Sequence, residues 1–271
     1  MINNVIINAD DLGMTPGTNR AIFLGYDDGV ITHTSLMTNC DYFNEAVAGI
    51  KERDSLNVGI HLNLTYGQSL NPSPIYCDNY GIFNLGYIGI LYKSLFDRKF
   101  LKEVRREFEL QIEKAVNKGI LITHLDSHRH IHLIPGLYTI VVKISKKYRI
   151  PRVRLINENI FESTKINKNV NFLFNGNIVK YLLLTFFTRV NIKRHNDTYK
   201  IKFFSILYTG SINNKAIQFY KRKVNGNVEI TVHPSCINID QDVTFYDEAE
   251  KKYRLSLDRE IEFKNIKNIG R

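Results

Sequence analysis

The stretch Thr123-His124-Leu125-Asp126-Ser127-His128-Arg129-His130-Ile131-His132 holds four of the eight histidines of the chain and one aspartate. These side chains fall on alternate positions, and on an extended backbone alternate side chains point to the same side. We therefore expect several imidazoles to project into one pocket, where buried rings need polar partners. The simpler alternative is a solvated histidine-rich loop.

Length and composition allow one large globular domain or two small ones. The chain has 271 residues, of which 44% are hydrophobic, so it can bury a sizeable core. Its three cysteines are widely spaced and odd in number, which argues against a disulfide framework and a paired-cysteine zinc site. We expect no signal peptide, because the N-terminus has no basic region followed by a long apolar region. We also expect no transmembrane segment, because no apolar run reaches the roughly 18 residues of a spanning helix. The expected location is the cytoplasm.

Charge is distributed unevenly along the chain. Residues 1–120 carry 11 Lys and Arg against 14 Asp and Glu, a net charge of −3. Residues 121–271 carry 26 against 13, a net charge of +13, and the two parts together give +10. A basic half can bind nucleic acid or an anionic membrane. The cations are scattered without a nucleic-acid motif, so we expect a solvated basic surface and no nucleic-acid partner.

Predicted strands alternate with predicted helices, which indicates an α/β fold with a parallel sheet. About seven such units in this length favour an irregular (β/α) barrel with about seven parallel strands. One domain is expected over residues 1–271, with a helical insertion near 157–202. Residues 66–90 are rich in Gly, Pro, Tyr and Asn, and a long irregular stretch of this kind is typical of a binding loop.

Five polar side chains each follow or end a predicted strand. In a (β/α) barrel the carboxyl ends of the strands converge on one mouth, so these side chains are expected to form one site. Two imidazoles and one carboxylate can hold a divalent ion, a second carboxylate can act as general base, and a further histidine as general acid. This set suits hydrolysis of an unreactive bond. The residues are Asp10, Asp11, His61, His128 and His233.

Several short motifs, in this order, resemble those of the YdjC/ChbG-like carbohydrate deacetylases. The resemblance is dense over residues 1–156, thinner over 205–258, and poor over 157–202. Together the motifs are highly specific for that family. They are Asn8-Ala9-Asp10-Asp11-Leu12-Gly13, Thr34-Ser35-Leu36-Met37, Gly59-Ile60-His61-Leu62-Asn63-Leu64, Thr123–His132 and Val232-His233-Pro234.

The resemblance implies an irregular (β/α) barrel that removes the acetyl group from an N-acetylated sugar. It implies that Asp11, His61 and His128 hold a metal ion, usually magnesium, that Asp10 is the catalytic base, and that His233 is the general acid. Imidazole ligands suit zinc, manganese or cobalt better than magnesium, which prefers an all-oxygen shell, so the choice of metal stays open.

Other polar residues receive weaker predictions. Asp126 is predicted to orient a metal ligand or the general acid through a hydrogen bond. The alternative is that it is only a buried hydrogen-bond acceptor. His130 and Arg154 are predicted to bind substrate. For Arg154, the alternatives are that it orients Asp10 or that it is a solvated arginine at a strand end. His124 and His132 are predicted to be structural.

The resemblance implies a chito-oligosaccharide or a glycolipid head group as the substrate. The apolar stretch 172–187, followed by a basic segment, favours a lipid-linked or anionic sugar and allows peripheral membrane contact. Homo-oligomerisation is left open. The two rival functions are a metal-dependent phosphoesterase on the same barrel and a non-catalytic sugar-binding protein.

Overall fold

The structure, a computed structural model, confirms the α/β fold. Six strands are described: β1 (Val5–Leu12), β2 (His33–Leu36), β3 (Asn57–Leu62), β4 (Ile122–Ser127), β5 (Lys202–Phe204) and β6 (Val228–Val232). They form one sheet in the order β4-β3-β2-β1-β6-β5. The described residues are 5–166, 176–196, 201–208, 212, 215, 217–219 and 227–269.

Nine α-helices are described in addition to the strands. The predicted binding loop ends earlier than expected, because its last residues begin a helix, α3. A short 3₁₀ segment, His128–Leu133, follows β4. The helices are α1 (Pro16–Asp27), α2 (Phe43–Lys51), α3 (Tyr87–Phe96), α4 (Arg98–Val116), α5 (Pro135–Lys147), α6 (Ile160–Ile166), α7 (Asn177–His195), α8 (Glu248–Arg254) and α9 (Leu257–Ile269).

The sheet differs from the predicted seven strands. Strand pairs β1–β6, β3–β4 and β5–β6 are parallel, as expected. The predicted strand at 153–156 is reduced to one parallel bridge between Val153 and Leu125. Its hydrogen bonds to β4 are Leu125 N to Arg152 O and Arg154 N to Leu125 O. Closure of the barrel stays a prediction.

The chain divides into two compact units. Unit 1 comprises residues 1–10, 17–34 and 155–271, and its core includes the apolar side chains of paired strands β1 and β6. Unit 2 comprises residues 11–16 and 35–154, and its core lies among β3, β4, α4 and α5. Phe108, Ile112 and Tyr138 are fully buried there. The single domain over 1–271 stays a prediction, and part of the expected insertion, 167–175 and 197–200, lies outside the described residues.

Two local predictions were wrong. The first strand, predicted over residues 3–8, continues to Leu12, so Asp10 and Asp11 lie within it and are 1% exposed. The backbone of the histidine-rich stretch is extended only as far as Ser127. Beyond it the chain turns, so the alternation of side chains holds only for the part of the stretch that lies in β4. Among the described residues, no helix combines the length and apolarity needed to cross a bilayer.

A glycine in β3 makes room for a histidine of the neighbouring strand. Gly59 pairs with His124 of β4, and a Cβ added to Gly59 would overlap the His124 imidazole. His124 is fully buried, so its ring cannot swing into solvent to relieve the overlap. The His124 ring therefore occupies space that only a glycine at residue 59 leaves open.

We expect Gly59→Ala to lower the free energy of unfolding by about 1–3 kcal/mol, because overpacking displaces a buried ring. Chemical denaturation measures this. The matched control is Gly89→Ala in α3, where the added Cβ meets only the end of the Leu85 side chain and where alanine favours the helix. Equal effects of the two substitutions would contradict the proposed overlap.

Within unit 1, a buried carboxylate holds two segments together. Glu158 Oε2 accepts hydrogen bonds from the backbone N–H groups of Ile206 at 2.7 Å and Leu207 at 3.3 Å. Its Oε1 accepts from Ser163 Oγ at 2.9 Å. Burial raises the pKa of Glu158 to about 7, although these hydrogen bonds act in the opposite direction. The folded protein therefore binds a proton at Glu158 more tightly than the unfolded chain does.

This shift predicts that the free energy of unfolding falls as pH rises. The unfolded carboxyl ionises near its model value of 4.5, whereas the folded one ionises at about 7. Relative to Glu158→Gln, the protein should lose about 3 kcal/mol of stability between these pH values. Denaturation of both proteins across this range gives the difference directly. A difference that does not change with pH would contradict the assignment.

Candidate metal centre and its surroundings

Three predicted ligands, Asp11, His61 and His128, come together in unit 2. Asp11 lies near the end of β1, His61 near the end of β3, and His128 directly after β4. Asp11 Oδ1 is 3.3 Å from His61 Nε2 and 3.2 Å from His128 Nδ1. All three side chains are buried, and one ligand atom from each lies within 4.8 Å of the others. The ends of β1, β3 and β4 thus bring these three side chains together.

The spacing of these atoms fits a divalent ion. An ion about 2.1 Å from each ligand keeps neighbouring ligand atoms about 3.0–3.4 Å apart in octahedral or tetrahedral geometry. The two distances from Asp11 Oδ1 lie in this range. The donor set of two imidazoles and one carboxylate is one that binds first-row divalent metals. Asp11, His61 and His128 could therefore hold a metal.

Asp126 contacts the ring nitrogen of His61 that faces away from Asp11. Its Oδ1 is 2.7 Å from His61 Nδ1, and both side chains are buried. A carboxylate can only accept here, so Nδ1 carries the hydrogen and, in the neutral ring, Nε2 presents a lone pair toward Asp11. A metal-binding histidine characteristically donates its other N–H to a carboxylate. The contact is compatible with the orienting role of Asp126, which stays a prediction.

Asp126 is itself held by a cation and a hydroxyl. Arg154 Nη2 is 2.6 Å from Asp126 Oδ2, and both side chains are fully buried. Ser35 Oγ donates to the same oxygen at 2.6 Å. Burial by itself raises the pKa of Asp126, but Arg154 and His61 outweigh burial and hold this pKa well below its usual range. Asp126 is therefore a carboxylate at neutral pH.

Arg154 lies in the interior of the protein. Its side chain is buried and pairs with Asp126, so the predicted alternative of a solvated arginine is wrong, whereas contact with substrate stays a prediction. His132 Nε2 donates to the Arg154 carbonyl at 3.0 Å, and Ser127 Oγ is 2.6 Å from His132 Nδ1. Burial lowers the pKa of His132 to about 4, so its ring is neutral. His132 thus contributes to positioning the backbone of Arg154.

The turn after β4 contains an unusual backbone. Arg129 and His130 both have positive φ angles, 55° and 56°, which few non-glycine residues adopt. Strained backbone of this kind occurs most often at functional sites. His130 is 5% exposed and lies two residues from His128. Asp11 also has a positive φ, 72°, so one of the candidate ligands lies in left-handed backbone.

Unit 1 contains the other two predicted catalytic residues. His233, directly after β6, has its Nε2 3.9 Å from Asp10 Oδ2. Asn8 Nδ2 donates to Asp10 Oδ1 at 2.7 Å, so one carboxylate oxygen is fixed and the other faces His233. The backbone N–H of His233 donates to Glu262 Oε2 at 2.7 Å. His233 retains 14% side-chain exposure, whereas Asp10 retains 1%.

Sequence reasoning missed residues that fix the backbone around these side chains. Gln111 of α4 binds the chain two residues after His61, since its Oε1 accepts from Asn63 N and its Nε2 donates to Asn63 O. Glu107, also fully buried in α4, accepts from Ser69 Oγ at 2.6 Å. The only sequence signal is that both polar residues lie on the apolar face of an amphipathic helix.

We expect Arg154→Met to lower the free energy of unfolding by about 3–5 kcal/mol, because it leaves the buried Asp126 carboxylate without its cation. The control is Arg105→Met, whose 53%-exposed side chain pairs with Glu109 and should cost at most about 1 kcal/mol. Adding Asp126→Asn to Arg154→Met should recover part of the loss. Equal losses at Arg154 and Arg105, measured by chemical denaturation, would contradict a buried pair.

Two curated relatives share sequence with part of the chain. A carbohydrate deacetylase of Clostridium beijerinckii is 35% identical over 164 residues, which are 59% of this chain and 64% of that protein. A carbohydrate deacetylase of Brevibacillus brevis is 36% identical over 148 residues, which are 54% of this chain and 57% of that protein. The matched part of the chain thus spans less than two thirds of either relative.

Comparisons over most of the chain identify the fold and the family. The crystal structure of a candidate cellobiose-phosphate cleavage protein from Enterococcus faecalis has a TM-score of 0.60 and 23% identity, over 98% of this chain and 96% of that one. At this identity the likeness concerns the fold alone. The YdjC-like protein family matches residues 4–267. The resemblance inferred from the motifs is therefore confirmed, and the chain belongs to the YdjC-like family.

Proposed function

We propose that this protein is a metal-dependent hydrolase that removes the N-acetyl group from an N-acetylated sugar, releasing acetate and a free amine. The observation that carries the proposal is the buried cluster of Asp11, His61 and His128, with ligand atoms within 4.8 Å of one another. Membership of the YdjC-like family and the carbohydrate deacetylases among its relatives support the choice of substrate class.

Asp11, His61 and His128 would hold one divalent ion. Magnesium is the metal implied by the family resemblance, whereas two imidazole donors favour zinc, manganese or cobalt. When bound, such an ion makes water more acidic and stabilises negative charge on the acetyl carbonyl oxygen. Asp126 keeps His61 in the tautomer that can bind it, and Arg154 acts on the site by positioning Asp126.

Two residues would move protons. Asp10 lies in β1 and directly precedes Asp11, so a base would stand next to a metal ligand in the chain. It would accept the proton of the attacking water as the carbon–oxygen bond forms. His233 would donate a proton to the amine nitrogen as the carbon–nitrogen bond breaks. We propose His130, in the strained turn after β4, as a contact of the sugar.

The first experiment measures acetate release from N,N′-diacetylchitobiose, with and without a chelator, and with magnesium, zinc, manganese or cobalt added back separately. Release that a metal restores would support a deacetylase. If no acetate is released with any metal, although the protein holds one, lipid-linked N-acetylated sugars become the next substrates to test. Phosphate release from a phosphoester, or sugar binding without acetate release, would identify the two rival functions.

We expect Asp10→Asn and Asp11→Asn to differ in what they remove. Asp10→Asn should retain bound metal but lower turnover by about 10²–10⁴-fold, as loss of a general base does. Asp11→Asn should lose both metal and turnover, because it replaces the carboxylate of the cluster by a neutral amide. Metal content by mass spectrometry and acetate release together give the comparison.

The control for these variants is Asp242→Asn, a substitution of the same chemistry at an exposed position. It should change neither metal content nor acetate release. Loss of metal and activity together in Asp10→Asn would contradict the division of roles between the two aspartates.

A further inference from the structure

Helix α7 exposes a stripe of large apolar side chains on one face. Val179, Leu182 and Phe186 are 66%, 59% and 59% exposed. They recur every three or four residues and therefore lie on one face of the helix. The opposite face is buried through Leu184 and Phe187, so α7 packs on the protein by one side and presents large apolar side chains on the other.

The same exposed face becomes cationic toward the carboxyl end of the helix. Arg189 and Lys193 continue the spacing of the apolar stripe, and both are exposed. Over Asn177–His195 the sequence has four Lys and Arg and no Asp or Glu. The face therefore offers apolar contact and positive charge side by side.

We propose that the exposed face of α7 binds the surface of an anionic phospholipid membrane. A helix that lies in a membrane interface places Leu and Phe side chains among the acyl chains and Lys and Arg side chains among the phosphates. The stripe from Val179 to Lys193 extends about 21 Å at 1.5 Å per residue, so it can lie flat along such a surface. It does not span one, in agreement with the hydropathy of the described helices.

A second copy of the chain fits this face less well. In an antiparallel pair of α7 helices, the apolar half of each would face the cationic half of the other. In a parallel pair, cations would face cations at Arg189 and Lys193. An anionic membrane can contact both halves of the face at once, because acyl chains and phosphates lie next to each other at its surface. The acyl chains contact the apolar half, and the phosphates contact the cationic half.

The proposal does not depend on deacetylase activity, since it concerns the binding of the protein to a surface. Its test is flotation of the full-length protein with vesicles of phosphatidylcholine alone or mixed with phosphatidylglycerol. We expect binding only to the anionic vesicles, and weaker binding when salt rises from about 0.1 M to about 0.5 M, because the Debye length shortens.

The variant that tests the apolar half is Leu182→Asn with Phe186→Asn. It should lower the partition onto anionic vesicles at least about tenfold, because two large side chains no longer enter the acyl region. The matched control is Leu121→Asn with Leu257→Asn, which replaces two apolar side chains that are 85% and 67% exposed elsewhere. The control should bind as the unaltered protein does.

The variant that tests the cationic half replaces Arg189 and Lys193 by glutamine. It should bind less and lose most of the salt dependence. The control removes the same charge at two exposed lysines of unit 2, by Lys51→Gln and Lys118→Gln. A loss of binding as large in this control would show that net charge, rather than α7, attracts the protein, and would overturn the proposal.

Three further outcomes would also overturn it. These are no binding to either vesicle, equal binding to neutral and anionic vesicles, and unchanged binding of the α7 variants. Analytical sedimentation of the same proteins without vesicles tests whether a second copy of the chain binds this face instead. A dimer that Leu182→Asn with Phe186→Asn converts to a monomer would assign the face to a second copy of the chain.

Discussion

The carboxylate of Asp126 is the constraint on which the candidate metal centre depends. A fully buried charge is tolerated only if it is paired and hydrogen-bonded. Arg154 supplies the opposite charge, Ser35 a hydroxyl donor and His61 a ring N–H. The same contacts that make the buried charge acceptable also fix the orientation of His61. Stability of the interior and geometry of the candidate metal ligands are therefore set by one group of contacts.

Much of the candidate metal centre could be predicted from the sequence, because the rule that applies to it is general. Parallel strands bring their carboxyl ends to one edge, so Asp11, His61 and His128 could be placed together from strand predictions alone. Arg154 and Ser35 could not be recognised in this way. Whether an arginine at a strand end turns inward or outward depends on a carboxylate from another strand, and the local sequence does not contain that information.

The errors in the fold have similar causes. The segment near Val153 has the composition of a strand, but only Val153 pairs with β4. The turn after β4 requires left-handed backbone at Arg129 and His130, which are residue types that give no local signal for it. The first turn of helix α3 lies in the stretch 66–90, whose glycines and prolines suggested a loop.

The left-handed backbone of Asp11 limits which amino acids can serve at that position. Aspartate and asparagine enter this region more easily than other non-glycine residues, because their short polar side chains can bond locally. Glutamate carries the same charge but lacks this preference, and its longer side chain would move the carboxylate. The conformation of the main chain thus discriminates between two acids of equal charge. A glutamate at position 11 would therefore disturb the main-chain conformation as well as the position of the carboxylate.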